Sequence, residues 1–453
     1  MNFVGKRIVV LGAGVSGIAV ALILQQEGAQ VTLSDTRPRD QLKQNVASLE
    51  KAGVLLRLGD QSPALLSAAD YLVLSPGVSI YNPLVEEAKT REIVVMSEIE
   101  VAYHLCRVPM VAITGTNGKT TTTTLVGEMF RKAGIQTAVG GNIGDALSKE
   151  VRDVQPGGAV VAEISSFQLE GTIDFRPHIA AILNITPDHI DRHRTLENYR
   201  AAKERIFARQ TAQDYLILNY DDPAVRAMAE KAAAQVFFFS RRQSLPAGIF
   251  VDGDILRIRW KEQDVSICSV ADMKLFGSHN VENALAACAA SYLYGIGAPD
   301  MAAVLKTFAG VEHRIEPVAA VDGVMYYNDS KATNPESSIK ALEAFSGHII
   351  LIAGGRDKNT DLTEFMKLAA EKTDALILLG EASVRFAKAA AEQNVREIHQ
   401  VADFSVAVQL ARKLAKPPQV VLLSPACSSY DMFNNYEERG KHFKELVHSL
   451  AYK

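Results

Sequence analysis

The sequence predicts an α/β protein built from three domains with mainly parallel sheets. The chain has 453 residues, which is too long for a single ordinary hydrophobic core. Continuous apolar runs alternate with helical stretches along the whole chain, a pattern typical of parallel strands that are buried on both faces. Glycine-rich turns follow two of these runs and open helices. Because so many strands would overfill one sheet, we divide them among three domains.

The apolar runs that predict strands are Ile8–Leu11, Val31–Ser34, Tyr71–Leu74, Met110–Thr114, Ala159–Ile164, Ile179–Ile185, Tyr215–Leu218, Ile349–Ala353, Ala375–Leu379 and Val420–Leu423. The segment Gly248–Cys268 differs, since its residues alternate around an Asp-Gly turn signal and predict an antiparallel hairpin inserted in the middle domain. We expect a Rossmann-like first domain over residues 1–98, a central P-loop domain over 99–310 and a Rossmann-like C-terminal domain over 311–453.

The composition excludes several classes of protein. Hydrophobic residues make up 48% and charged residues 22%, as in an ordinary globular protein. The net charge of −4 argues against a general nucleic-acid binder, and no apolar run approaches the ~20 residues of a membrane span. The N-terminus shows no signal peptide, and the four cysteines are scattered without CxxC spacing, which suits a reducing compartment. We therefore expect a cytoplasmic protein without nucleic-acid or membrane partners.

A first nucleotide motif lies at the N-terminus. Gly12, Gly14 and Gly17 follow the strand KRIVVL and open a helix, and Asp35 ends the next strand. Such glycines admit a pyrophosphate to a helix N-terminus, and the carboxylate can bind a ribose hydroxyl. The motif fits an NAD(P) dehydrogenase, a UDP-sugar pocket or merely a tight strand–helix turn. A second nucleotide motif further along the chain favours the UDP-sugar, and we expect no NAD.

That second motif is a P-loop. The strand Met110–Thr114 runs into Gly115-Thr-Asn-Gly118-Lys119-Thr120-Thr121, and a helix follows. Backbone N–H groups of such a loop surround phosphate oxygens, the lysine reaches the terminal phosphates and the next hydroxyl holds Mg²⁺. Ile113 stands where the GxxxxGK[ST] pattern has its first glycine. We expect an ATP site, which a non-catalytic nucleotide sensor would also contain.

Three further residues stand where a metal site would be completed. Glu163 and His189 follow strands, at the edge where open α/β sheets place their ligands, although a strand-end glutamate is often only a helix cap. In the predicted helix Glu197–Arg209, Lys203 falls on the apolar face with Tyr199, Ile206 and Phe207. A lysine in that position usually extends to the surface, so its helical position alone favours a structural interpretation.

Taken together, the motifs resemble the Mur ligases of peptidoglycan synthesis over essentially the whole chain. The resemblance rests on GAGVSG with SDTR, SPGV, TGTNGKTT, GGNIG, EISSFQLE, NITPDHIDRH, YRAAKERIF, GSHNVENALAA, EHR, NDSKATNP, GGRDKN and SPACSSYDMFNNYEERG. It implies a cytoplasmic, monomeric ligase that uses ATP and Mg²⁺ to join D-glutamate to UDP-N-acetylmuramoyl-L-alanine, through an acyl phosphate and a tetrahedral intermediate.

Family members that add another amino acid are the nearest alternative. The P-loop has Asn117 where the alanine-adding members show a histidine, and the DNPR-type motif of members that add a diamino acid is absent. Both departures favour D-glutamate as the amino acid that this chain would add.

The resemblance also implies the site residues. The UDP-substrate would contact Val15, Ser16, Asp35, Thr36, Arg37, Gly77, Asn142, Gln168 and His189. ATP would contact Gly115, Thr116, Asn117, Gly118, Lys119, Thr120, Thr121, Asn283, Arg314, Asp329 and Lys331. Two Mg²⁺ sites would use Thr120, Glu163, His189 and a carbamylated Lys203, and the catalytic set would be Lys119, Glu163, His189 and Lys203. D-glutamate would contact Thr333, Lys358, Ser429, Tyr430 and Tyr436, the two tyrosines standing where relatives carry an apolar residue.

Overall fold

A computed structural model describes residues 1–42, 46–59, 61–275 and 277–451, and the described strands form three sheets. The chain divides into two compact units. One consists of Met1–Met273 with Glu282–Thr307 and holds the first two sheets, and the other consists of Lys274–Val281 with Phe308–Lys453 and holds the third. Within the described part of the chain, no helix combines the length and apolar character that crossing a membrane requires.

The first sheet is parallel and has the strand order β3-β2-β1-β4-β5. The apolar run after Arg7 forms its central strand, and Gly17 lets the next helix approach that strand, because a Cβ atom there would collide with Gly12 O. The elements are β1 (Arg7–Leu11), α1 (Val15–Gln26), β2 (Gln30–Asp35), α2 (Ala47–Lys51), β3 (Leu55–Leu58), β4 (Tyr71–Leu74), α3 (Pro83–Thr90), β5 (Val94–Ser97) and α4 (Glu98–Leu105).

The second sheet has the order β14-β13-β12-β11-β10-β9-β6-β8-β7 and is parallel from β7 to β12. Its central strands are fully buried, which matches their continuous apolar sequences. The elements are β6 (Met110–Thr114), α5 (Lys119–Lys132), β7 (Thr137–Gly141), α6 (Leu147–Glu150), β8 (Ala159–Glu163), α7 (Ser166–Leu169), β9 (Ile179–Ile182), α8 (Ile190–His193), α9 (Leu196–Glu204), β10 (Tyr215–Asn219), α10 (Pro223–Arg226), β11 (Gln235–Ser240), β12 (Gly248–Asp252), β13 (Ile255–Trp260), β14 (Gln263–Ser269), α11 (Ser278–Tyr294) and α12 (Ala298–Thr307).

The third sheet has the order β15-β16-β20-β17-β18-β19. Within the described part of this sheet, the β15–β16 pair is antiparallel and every other pair is parallel. Apolar helices cover both of its faces, so that two apolar clusters are separated by the sheet. The elements are β15 (Glu316–Val321), β16 (Val324–Asn328), α13 (Pro335–Glu343), β17 (Ile349–Gly354), α14 (Thr363–Lys372), β18 (Thr373–Leu379), α15 (Ser383–Glu392), β19 (Ile398–Gln400), α16 (Phe404–Leu414), β20 (Val420–Leu423) and α17 (Tyr436–Ala451).

The predicted fold class is confirmed, and a strand lies at each of the ten apolar runs. The sequence analysis missed β3, β5, β7, β11, β15, β16 and β19, most of which are short or lie near a sheet edge. The segment predicted as a hairpin contains three strands, since β14 pairs with β13 in antiparallel fashion as β13 does with β12, and β12 also pairs in parallel with β11, so the segment extends the central sheet. The helix predicted over Glu197–Arg209 ends at Glu204. The domain boundaries stay predictions.

Candidate active site

The P-loop lies between β6 and α5. Gly118 has φ 85°, a left-handed conformation, and a Cβ atom there would collide with Asn283 Oδ1. Lys119 then begins the 14-residue helix α5, whose first N–H groups and dipole face the loop. The predicted residues from Gly115 to Thr121, together with Asn283, therefore lie together at a helix N-terminus suited to phosphate.

Asn184 holds the P-loop in place through hydrogen bonds. This role was not predicted from the sequence. Its side chain accepts from Asn117 N at 2.8 Å and donates to Asn117 O at 3.1 Å, while its carbonyl accepts from Thr116 N at 3.0 Å. The loop conformation is thus held from the end of β9. The signal that could have found it is an amide side chain inside the NITPDH motif, directly after a buried strand.

Two lysines converge on one carbonyl oxygen of the loop. Lys119 Nζ donates to Gly115 O at 2.9 Å and to Thr116 O at 2.8 Å, and Lys203 Nζ donates to Gly115 O at 2.8 Å. Lys203 is only 1% exposed, so the interpretation that it extends to the surface is wrong. Burial, and then the neighbouring charge of Lys119, lowers the pKa of Lys203 well below its ordinary value. Burial therefore favours the neutral form of this amine.

Glu163 ends β8 and is 1% exposed. One of its oxygens accepts from Asn142 Nδ2 at 2.7 Å, whereas Oε2 finds no hydrogen-bond donor among the described residues. A buried carboxylate oxygen without a donor is costly unless a cation pairs with it. Thr120, one residue inside α5, is also buried, so both predicted Mg²⁺ ligands are of a type that fits the ion.

His189 stands at the start of α8 with φ 53°, and its side chain is 39% exposed. Its Nε2 lies 3.5 Å from Asp188 Oδ2, and its ring packs edge-on against Phe167. Among the described residues, His189 and Glu163 do not form a compact group with a third histidine, cysteine or carboxylate; such groups occur elsewhere, at Glu100 and at Glu312 with their neighbours. The predicted metal set is therefore not preassembled from these side chains alone.

A cavity of about 580 Å³ lies between the first and second sheets. Eight of the nine residues predicted to bind the UDP-substrate line it, and His189 is the exception. Glycines of the first β–α turn, the loop Ser75–Val78 and the loop around Asn142 supply the rest of the wall. The lining residues are Gly12, Gly14, Val15, Ser16, Asp35, Thr36, Arg37, Ser75, Pro76, Gly77, Val78, Gly141, Asn142, Gly144, Ala146 and Gln168.

Asp35 differs from the acidic residue of a dinucleotide fingerprint. Both of its oxygens accept from the Arg37 side chain, at 2.9 and 2.8 Å, and they also accept from Ala13 N and Arg37 N. Burial would raise the pKa of Asp35, but these hydrogen bonds outweigh it and lower the pKa to about 2. The carboxylate therefore orients Arg37 and the glycine turn.

The remaining predicted residues lie in the second unit, where β16, β20 and β17 are parallel neighbours. Their carboxyl ends meet at one sheet edge. Asp329, Lys331 and Thr333 follow β16, Ser429 and Tyr430 follow β20, and Lys358 follows β17. Lys331 Nζ donates to Tyr436 Oη at 3.1 Å, Tyr430 is 65% exposed, and Arg314 precedes β15.

Two buried ionisable side chains, Asp329 and Arg439, lie at this edge of the third sheet. Burial raises the pKa of Asp329 to about 7, although Arg314 and a hydrogen bond from Ser424 Oγ at 2.8 Å oppose the shift. Arg439, which the sequence analysis missed, donates to Ser330 Oγ, Ser330 O and Cys427 O, and its burial lowers its pKa to about 10. It thereby ties the loop after β16 to the loop after β20.

These features define a class: a P-loop α/β protein with a second, separate cavity of nucleotide size. Comparison with known families then identifies it. Residues 6–97 match the Mur ligase MurD-like N-terminal domain, 113–291 the Mur ligase middle domain and 313–427 the Mur ligase glutamate ligase domain. The chain belongs to the Mur ligase family.

The relatives extend over the full length. The chain is 46% identical to the UDP-N-acetylmuramoylalanine–D-glutamate ligase of Pelotomaculum thermopropionicum, over 99% of both chains. It is 45% identical to the protein of the same name from Caldanaerobacter subterraneus, over 99% of this chain and all of that one.

Solved structures show the same fold at lower identity. A pseudomurein peptide ligase type C from Methanothermus fervidus is 19% identical, with a TM-score of 0.62 over 98% of this chain and all of that one. The UDP-N-acetylmuramate-alanine ligase MurC of Thermotoga maritima is 20% identical, with a TM-score of 0.60 over 98% of this chain and 99% of that one.

Proposed function

We propose that the chain is the ATP-dependent ligase that adds D-glutamate to UDP-N-acetylmuramoyl-L-alanine in peptidoglycan precursor synthesis. The observation that carries the proposal is that one compact unit holds both a P-loop and a separate cavity lined by eight residues of the expected UDP site. A reaction between ATP and a UDP-linked substrate needs two nucleotide sites of this kind. The full-length relatives carry the name of this activity.

The first step is phosphoryl transfer. The terminal carboxylate of the UDP-substrate attacks the γ-phosphate of ATP, which forms an acyl phosphate and releases ADP. Lys119 now donates to two carbonyls of its own loop, and it would turn to the phosphates when ATP binds. The backbone N–H groups at the start of α5 and the lysine charge stabilise the negative charge that develops, chiefly by position and electrostatics.

Thr120 and Glu163 would hold one Mg²⁺, and Glu163, His189 and a carbamylated Lys203 would organise a second. Mg²⁺ supplies neutralisation of phosphate charge when it is bound. Lys203 suits the modification because its amine is buried, has a lowered pKa and lies beside the P-loop. Addition of CO₂ to the neutral amine forms an N–C bond and releases one proton, which converts the side chain to an anion.

The second step joins the amino acid. The amine of D-glutamate attacks the acyl carbon, and the tetrahedral intermediate collapses to the amide and phosphate. Thr333, Lys358, Ser429, Tyr430 and Tyr436 would bind D-glutamate, because the first four follow neighbouring parallel strands and Tyr436 contacts Lys331. Arg314, Asp329 and Lys331 would complete the ATP site. We further propose that the enzyme acts as a cytoplasmic monomer without NAD or nucleic acid.

Release of phosphate and ADP tests the proposal across a matrix of substrates. Turnover is expected only when ATP, Mg²⁺, UDP-N-acetylmuramoyl-L-alanine and D-glutamate are all present, with L-glutamate inactive. Turnover with another amino acid would assign the chain to a different specificity within the family. A change in absorbance at the nicotinamide band would indicate a dehydrogenase, and ATP binding without turnover on any pair of substrates would indicate a nucleotide sensor.

A further inference from the structure

A guanidinium group of the central domain holds the loop Ser75–Val78, which forms one wall of the cavity. Arg192 Nη1 donates to Pro76 O at 2.9 Å, and Nη2 donates to Val78 O at 3.0 Å. The two acceptors flank Gly77, a predicted contact of the UDP-substrate. The loop is tied to its own sheet as well, through a hydrogen bond from Ser75 Oγ to Gly12 O at 2.9 Å. Arg192 therefore joins the N-terminal wall of the cavity to the central domain.

Arg192 is itself held by a buried polar network. Its Nη2 also donates to Glu170 Oε2 at 2.9 Å, and its guanidinium lies 4.0 Å from the ring centre of Phe167. The other oxygen of Glu170 lies 3.2 Å from His193 Nδ1, and His193 Nε2 contacts Ser166 Oγ at 2.9 Å. The side chains of Arg192, Glu170 and His193 are 15%, 5% and 2% exposed.

The charges in this network are paired. Burial would raise the pKa of Glu170, but hydrogen bonds from His193 and Arg192 outweigh it and hold the pKa below its ordinary value. Glu170 is therefore a carboxylate at neutral pH and fixes one edge of the guanidinium, while the aromatic ring fixes its plane. A group held in this way costs little entropy when it binds the two loop carbonyls.

The network also connects two segments of the proposed site. Ser166 and Glu170 lie at the two ends of α7, the helix that contributes Gln168 to the cavity. Arg192 and His193 lie in α8, which begins directly after His189. One cluster thus sets the position of the loop at Gly77, of Gln168 and of the segment that carries His189.

We propose that Arg192, oriented by Glu170, is a positioning residue that holds the loop Ser75–Val78 in the conformation that binds the UDP part of the substrate. This inference rests on the proposed function for the identity of the ligand. A hydrogen bond to a charged group contributes about 1.5–3 kcal/mol, which corresponds to roughly 10- to 150-fold in affinity. We therefore expect Arg192→Ala to weaken UDP binding and to raise KM for the UDP-substrate by that factor, while KM for ATP changes less than about twofold.

The experiment compares wild type, Arg192→Ala, Arg192→Lys and a control, Arg209→Ala, by calorimetry with UDP and by steady-state kinetics. Arg209 also donates to a backbone carbonyl, that of Ile173 at 2.8 Å, but this contact involves neither the loop Ser75–Val78 nor α7 and α8. Lysine keeps the charge beside Glu170 but lacks the planar fork that reaches both loop carbonyls. The variant Arg192→Lys should therefore have the wild-type melting temperature but should bind UDP as weakly as Arg192→Ala does. The control should keep the wild-type affinity for UDP.

A double-mutant cycle adds a second readout. Glu170→Gln should weaken UDP binding less than Arg192→Ala does, and its effect should largely disappear in the double variant, because both act through one guanidinium. Unchanged UDP affinity in Arg192→Ala, or equal losses for UDP and ATP, would overturn the inference. A wild-type protein that binds UDP but shows no ligase turnover would instead overturn the proposed function and leave the role of Arg192 in UDP binding standing.

Discussion

Replacing Lys203 by methionine separates the chemistry of this side chain from its packing. Lysine here is 1% exposed and donates to Gly115 O at 2.8 Å and, at the longer distance of 3.4 Å, to Thr114 Oγ1, so methionine keeps much of the apolar stem and loses both bonds. A hydrogen bond contributes about 1 kcal/mol net, while removal of a buried amine relieves a desolvation cost of the opposite sign. We therefore expect the free energy of unfolding to change by no more than about 1 kcal/mol.

Turnover should respond far more strongly than stability. If Lys203 acts as a carbamate, methionine removes a preorganised negative charge from the proposed metal site. Loss of one preorganised electrostatic group typically costs about 3–4 kcal/mol in the transition state, or roughly 10²- to 10³-fold in kcat. Phosphate release at saturating substrates measures this loss, and thermal unfolding measures stability. Short carboxylic acids should partly restore the activity of Lys203→Ala, because they can replace the missing anion.

Two further variants make this prediction decisive. Lys203→Arg keeps a positive charge and cannot form a carbamate, so it should be as inactive as the methionine variant. Lys132→Met, at an exposed position in the same domain, is the matched control and should leave both activity and stability unchanged. Wild-type turnover in Lys203→Arg would refute the reasoning and reduce Lys203 to a structural hydrogen-bond donor for Gly115.

Three other predictions concern single side chains. Lys119→Ala should lower kcat about 10²- to 10³-fold, because it removes the cation nearest the developing phosphate charge, and comparable phosphate release would contradict this role. Lys358→Ala should raise KM for D-glutamate at least about tenfold and leave KM for ATP and the UDP-substrate unchanged, whereas exposed Lys388→Ala should change none of them; an even loss across all substrates would indicate a folding defect. Asp329 has its pKa raised by burial from 3.8 to about 7, so the folded state binds the proton more tightly than the unfolded state. Stability should therefore fall by at most about 4 kcal/mol as pH rises from about 4 to about 7, and Asp329→Asn should lack this part of the slope in thermal unfolding; identical slopes would refute it.

Local sequence patterns predicted the parts of the fold that depend on local physics. The run Met110–Thr114 is apolar throughout because β6 is buried on both faces, and the P-loop follows it directly. The helical position of Lys203 correctly placed the residue on the buried face, but it favoured an amine that extends to the surface, which is wrong. By contrast, β3 and β7 gave no clear signal, since β3 is a half-exposed edge strand and β7 ends in two glycines.

The end of α9 shows why a helix boundary can escape a periodic pattern. Apolar residues continue to Ile206 and Phe207 at helical spacing, yet the helix stops at Glu204 and the chain continues in turns, with a hydrogen bond from Ile206 N to Lys203 O. Beyond this point the Arg205 side chain donates to the carbonyls of Leu169, at the end of α7, and of Thr172, just after that helix. Tertiary hydrogen bonds decided the boundary, and they are invisible in a window of local sequence.

The residues of the candidate site likewise differ in how far the local sequence predicts their roles. Residues that are expected to contact phosphate or metal, such as Lys119 and Glu163, lie in motifs whose other residues already indicate this chemical role. Residues that hold the loops in place, such as Asn184 and Arg192, also lie within such motifs, but the motif does not reveal their role, because that role depends on a partner far away in the chain.

Arg192 is the sharpest example of such a dependence. Its loop acceptors lie more than a hundred residues earlier, at Pro76 and Val78, and its carboxylate partner, Glu170, directly follows α7. In sequence it reads as one more exposed charge between two histidines. Only the fold brings the three segments together. Although Arg192 lies within the motif NITPDHIDRH, that motif does not indicate its contact with the loop Ser75–Val78, and a substitution there should alter substrate binding.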